Sequence, residues 1–215
     1  MNTNIGKNRN GVLSQATRRT MHRIVFLIRG IAFALALTVA QSQPAHASYA
    51  GITPPDVPSI IQVPAGNQLF RVAHAVGTQD YVCLSTGWAS LAYGPQATLF
   101  DDNNEQILTH FLSPNPDEAN TPRPTWQDSR DTSTVWASPV KDASYTPDPT
   151  AIAWLLLKVV GKAKGPTGGD KMISTTYIQR VNTTAGLKPT ATCTEGDKAL
   201  VPYTADYYFY KANNR

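Results

Sequence analysis

Val201-Pro202-Tyr203-Thr204-Ala205-Asp206-Tyr207-Tyr208-Phe209-Tyr210 is the stretch that decides the fold. From Tyr203 onward it alternates. Tyr203, Ala205, Tyr207 and Phe209 fall on one face, and Thr204, Asp206, Tyr208 and Tyr210 on the other. A period of two marks a β-strand with one buried face, and aromatic side chains favour that conformation. Just upstream lies Cys193, whose only possible partner in the chain is Cys83. The C-terminal block is therefore expected to join the two ends of the domain.

Further strands are expected outward from this block. Leu69–Val76 reads as a strand with Phe70, Val72, His74 and Val76 on one face. Gly77 is expected to break it, and Thr78–Leu84 to return as a hairpin partner. Ala97–Phe100 and Gln106–Leu112 flank Asp101-Asp102-Asn103-Asn104, a cluster of residues that tolerate turn backbones. Ser113–Pro149 holds seven of the sixteen prolines and reads as the least ordered part, with short strands around Trp126 and Trp136. Ala151–Leu157 is a continuous apolar run, either a strand buried on both faces or a pair of helical turns, and the strand is favoured. It pairs with a long strand over Met172–Asn182. Repeats, heptads and long helices are absent from the sequence. The fold class is all-β: one antiparallel β-sandwich or barrel-like domain with long Pro/Gly-rich loops.

The formal charge of +4 belongs to the first 47 residues, which hold six basic residues and no acidic one. From Ser48 onward, 13 basic residues stand against 15 acidic ones, a net of −2. A nucleic-acid partner, which calls for a basic face, is not expected. Residues 1–47 read as a signal peptide: Arg18, Arg19, Arg23 and Arg29, then the apolar run 31–40, then Ala45-His46-Ala47 with cleavage after Ala47. The run is too short for a stable transmembrane anchor. Either Met1 or Met21 is the start, and export runs by either the Sec or the twin-arginine route. Residues 48–66, rich in proline, form an irregular lead-in, and 67–215 form the single β domain. A periplasmic or secreted location makes one disulfide, Cys83–Cys193, the simplest use of the two cysteines.

Several motifs in this order resemble a family of secreted bacterial and fungal proteins, the domain of unknown function 3455. They are Gly77-Thr78-Gln79-Asp80-Tyr81-Val82-Cys83, His110-Phe111, Pro124-Thr125-Trp126, the 152–157 run, Tyr177-Ile178-Gln179-Arg180-Val181-Asn182-Thr183 and Tyr203–Tyr210. The resemblance covers about Val63 to Tyr210. The chain departs from the family pattern at Trp126-Gln127-Asp128-Ser129-Arg130, which lacks the usual glycine turn, and at Ala185-Gly186, where paired glycines are usual. The family brings no established site residues. A malate dehydrogenase label on some fungal relatives finds no support here, because no G-x-G-x-x-G follows a strand.

The candidate site residues are few. His74 and His110 both alternate with apolar neighbours and read as inward-pointing. Each is either a core histidine or, if the two meet beside Asp80 or Asp206, a ligand of a divalent metal. Arg180 in its strand needs a carboxylate and is expected to pair with Asp206, or else to bind an anion. Trp88, Trp126, Arg180 and Gln79 are ligand-binding candidates, with the tryptophans able to stack on a glycan or small molecule. Phosphate-loop spacing, the G-x-S-x-G elbow and a placed carboxylate pair are all missing. The expected function is a ligand-binding or envelope-associated module without catalysis. The alternative is a metal-dependent or redox enzyme centred on His74 and His110.

Overall fold

The computed structural model describes residues 52–90 and 94–213. The leader, its apolar run and its cleavage point lie outside the described residues. Among the described residues nine strands follow in chain order: β1 Asn67–Leu84, β2 Gly87–Ala89, β3 Pro95–Phe100, β4 Gln106–Asn115, β5 Thr121–Asp128, β6 Thr134–Tyr145, β7 Trp154–Ala163, β8 Thr175–Ala185 and β9 Lys198–Ala212. Each pairs antiparallel with its neighbour in the order β2-β1-β3-β4-β5-β6-β7-β8-β9, and β9 pairs again with β1. Eight strands thus close into an up-and-down barrel, with β2 as a short addition to the end of β1. Closure removes the open sheet edges that would otherwise invite aggregation.

The alternation read from the last strand holds. Tyr203, Ala205, Tyr207 and Phe209 are all buried and belong to the barrel core. The seam between the first and last barrel strands runs from Asn67 opposite Ala212 to Val82 opposite Lys198. Inside, Ala73 and Ala75 leave room for Leu99, Leu108 and Trp126. Trp126 meets Tyr207 edge-on, with ring centroids 5.5 Å apart. An eight-stranded barrel is just wide enough for its side chains to fill it, or to leave space for one small ligand.

The apolar run of β7 is buried on both faces, as its composition implies. Leu157 points into the barrel core, whereas Leu156 joins a second cluster on the outside with Val57, Ile61, Ala143 and Val181. From residue 52 on, the proline-rich lead-in therefore lies against the outer wall through Val57, Ile61 and Val63, with a 3-10 turn at Ser59–Ile61. Gln179 Nε2 donates to the Ile61 carbonyl, and the Tyr210 hydroxyl donates to Gln179 Oε1.

Two expectations are corrected. Gly77 does not break a hairpin; it sits inside a single 18-residue strand. A Cβ there would overlap the Gln96 carbonyl and Ala97 of β3, so glycine serves close strand approach. The proline-rich segment is not loop: most of it is β4, β5 and β6. Its prolines act on pairing instead. β5 and β6 pair only over Thr125–Gln127, because proline cannot donate to a ladder and Pro122, Pro124 and Pro139 stand just beyond. The wall opens there.

Candidate functional site

Strand direction assigns the two ends of the barrel. The end of β1, the start of β3, the end of β4 and the start of β5 meet at one end, with the Cys83–Cys193 disulfide (Cα–Cα 6.0 Å) at the same end. At the opposite end a pocket of about 640 Å³ is lined by charged side chains, Arg71, Asp128, Arg130 and Lys171 among them. Arg71 Nη1 lies 2.9 Å from Asp128 Oδ2, with the Asp128 side chain buried and Arg71 mostly so. Backbone amides of Arg130 and Asp131 donate to Asp128 Oδ1. Asp131 in turn accepts from Ser133 and from the Lys171 amide, which ties the β5–β6 and β7–β8 turns across the opening.

The first end holds a cavity of about 300 Å³. Six polar side chains line it: Gln79 from β1, Ser90 just after β2, His110 from β4, Arg123 from β5, Arg180 from β8 and Tyr207 from β9. Leu112, Leu155 and Leu157 supply apolar wall. Pro95, Pro122, Pro124 and Pro139 complete the wall beside the β5–β6 gap. Proline and leucine lose little side-chain freedom on ordering, so the cavity is largely preformed.

Two cations reach this cavity, and they differ. Arg123 is neutralised by Glu118 through Nε–Oε2 at 2.8 Å and Nη2–Oε1 at 2.9 Å. Arg180 has no carboxylate within 4 Å among the described residues. Its Nε and Nη2 both donate to the Ala153 carbonyl, at 3.2 and 2.8 Å. The expected Arg180–Asp206 pair is absent because register forbids it. Arg180 stands opposite Tyr207 and points inward, while Asp206, one residue away, points outward. Burial pushes the Tyr207 hydroxyl upward against the pull of the Arg180 guanidinium. Its oxygen lies 3.3 Å from the Tyr203 hydroxyl.

His110 forms the floor. It is 2% exposed and stacks on Trp126, with centroids 4.1 Å apart and planes 13° from parallel. Its Nδ1 donates to the Thr125 carbonyl at 2.8 Å. A carbonyl only accepts, so the neutral ring keeps its lone pair on Nε2. Burial is the main cause that drives the His110 pKa down to about 3, helped by the Arg180 charge and opposed by the Thr125 bond.

The remaining candidates lie elsewhere. His74 is on the outside of the wall, its side chain 42% exposed, with Nδ1 2.6 Å from Asp206 Oδ1 and Nε2 2.9 Å from Asp102 Oδ1. The two histidines therefore occupy opposite faces of the sheet, and among the described residues three or more His, Cys, Asp or Glu side chains do not gather as a metal site. Trp126 lies beneath His110 in the core. The half-buried Trp88 donates its indole N–H to Ala191 at 3.0 Å, and Trp136 donates to Ser113 Oγ at 2.8 Å. Sequence reasoning missed Tyr207 as a cavity residue, although its place on the inner face was legible from the alternation.

Residues 64–211 match the family described as Protein of unknown function (DUF3455). The chain belongs to that family. The match takes in all eight strands of this DUF3455 barrel, short only of the last residue of β9, and all six polar residues of the cavity. No curated protein and no solved structure matches the chain. Among the described residues of the DUF3455 chain, no helix is long and apolar enough to cross a membrane.

Proposed function

We propose that the protein is an exported β-barrel that binds a small organic acid at the open end of the barrel, without catalysis of its own. The observation that carries this reading is Arg180: a guanidinium in a mostly apolar cavity with no carboxylate beside it among the described residues. An unpaired cation in such a place is costly. An incoming carboxylate offsets that cost with a fork-shaped, charge-assisted contact. The leucine and proline walls suit a compact apolar body, and about 300 Å³ is at the small end of ligand cavities. Export is supported by the basic leader with its apolar run and by the disulfide, which suits an oxidising compartment.

The test is calorimetric titration of benzoate, cyclohexanecarboxylate and their uncharged amides into wild-type protein and Arg180→Gln. The acids should bind, the amides should not, and Arg180→Gln should weaken the acids at least ~30-fold, in line with loss of a buried charge-assisted contact. Equal affinity for acid and amide, or unchanged binding by Arg180→Gln, would overturn the reading.

A further inference from the structure

His110 adds a second recognition element to the same cavity, and the argument rests on the acid-binding reading just given. The ring is nearly inaccessible, lines the cavity and is pinned by two contacts, the Thr125 carbonyl on Nδ1 and the face of Trp126. Its Nε2 has no hydrogen-bond partner among the described residues. The Nδ1 bond makes that atom an acceptor. Around it the other polar groups chiefly donate: Arg180 carries only N–H donors, and Gln79 and Tyr207 can also donate. A ligand that offered only acceptors would satisfy Arg180 and leave Nε2 bare.

We propose that the cavity selects hydroxylated acids, with the carboxylate on Arg180 and a ligand O–H donated to His110 Nε2. Arg180 and His110 line the same cavity of about 300 Å³. Tyr207 stands opposite Arg180 in the ladder, and its ring centroid lies 5.2 Å from that of His110. Carboxylate and hydroxyl therefore belong on one short, flat scaffold, and a monocyclic phenolic acid has the right size and rigidity. A buried acceptor left unpaired penalises the analogue that lacks the hydroxyl, which is how a site built to read an O–H discriminates more sharply than an apolar pocket can. His110 acts here as a specificity-determining residue, since it changes which acid is held rather than whether one is held.

The test is a titration series of benzoate, the three monohydroxybenzoate isomers and their methoxy ethers. The ether keeps the oxygen and removes the donor. In wild-type protein, one hydroxy isomer should bind at least ~10-fold tighter than benzoate and than its own ether. In His110→Phe that preference should vanish: the affinities of the hydroxy acid, its ether and benzoate should fall within ~3-fold of one another, whatever the absolute affinity for benzoate. A second measurement uses wild type alone and so does not depend on the variant's folding. The 15N resonance of His110 Nε2 should move upfield when the preferred hydroxy acid is added and stay in place with its ether. If the acids bind through Arg180 but hydroxyl and ether forms bind alike, this inference fails and acid binding stands. A preference that persists in His110→Phe, or an unmoved Nε2 resonance, also sinks it. If no carboxylate binds, both readings fall together.

Discussion

His74 and Asp206 face each other across the seam that closes the barrel, with Nδ1 2.6 Å from Oδ1 on the outer surface. Partial burial lowers the His74 pKa, but bonds to Asp102 and Asp206 and their charges outweigh it, and the net pKa is raised above 6.5. A folded pKa above the unfolded one stabilises fully below about 6.5, and the contribution is lost as pH rises through the raised value. Half-exposed pairs are worth about 0–1 kcal/mol, so the melting temperature should fall by no more than about 2–4 °C across that range. In His74→Gln the alkaline decline should disappear. A persisting decline would assign it to another group.

His110 carries the opposite sign. Its folded pKa of about 3 lies below the ordinary 6.5, so the unfolded chain takes up a proton that the folded chain refuses. Its contribution is present above about pH 6.5 and is lost as pH falls toward 3. Melting curves of His110→Phe should show a shallower acid-side decline than wild type. The same acid-side slope in both would mean that His110 is not kept neutral by its surroundings.

Arg180 should trade stability against binding. Removing a guanidinium that lacks a carboxylate partner relieves a desolvation cost, so Arg180→Met is expected to raise stability by about 1–2 kcal/mol while it abolishes acid binding. Denaturant melts with and without benzoate check both halves. Destabilisation would mean that the two bonds to Ala153 matter more to the β7–β8 wall than the unpaired charge costs.

Gly77→Ala tests the close strand approach. The added methyl would strike backbone of β3, which cannot yield as a flexible side chain can. A loss of about 3 kcal/mol or more is expected, against about 0.5–1 kcal/mol of gain for an unstrained Gly→Ala change.

The disulfide spans a sequence separation of 110 and ties the loop before β9 to the end of β1. Cys83 also exchanges backbone bonds with Asp197 and Gly196. Cys83→Ser with Cys193→Ser should cost about 2–4 kcal/mol. Because the same loops border the cavity end, benzoate affinity should fall as well. Lost stability with unchanged affinity would show that the cavity wall is rigid without the bridge.

The strands were legible wherever one face is wet and the other dry. The last strand and the β3–β4 hairpin around Asp101–Asn104 follow from that asymmetry; the doubly buried 154–157 run is legible instead from its unbroken apolar composition. Gly77 and the prolines were misread because the same residues that punctuate turns also permit close approach and interrupt pairing, and only the neighbouring strand distinguishes the uses. The site was half legible. Gln79 and Arg180 stand out as polar residues in strands, yet the expectation of an Asp206 partner rests on a carboxylate being available in the last strand and leaves parity out. Arg180 shares its face with Ile178, whereas Asp206 lies on the face opposite Tyr207, so the same alternation that identified β9 already separated them. His74 was misplaced because Val76, which shares its face, is 58% exposed: apolar neighbours do not by themselves mark the inside.

The pairing of β1 with β9 also governs when the barrel can form. Its largest interface joins the first and last strands of the domain, so the contacts that complete it are among the most distant in sequence. Such topologies fold slowly, because loop-closure entropy is lost before the pairing rewards it. Until Lys198–Ala212 has emerged, β1 and β8 each present an unpaired edge. A chain handed across a membrane residue by residue would thus stay threadable until its final strand arrives, and then become compact in one cooperative step.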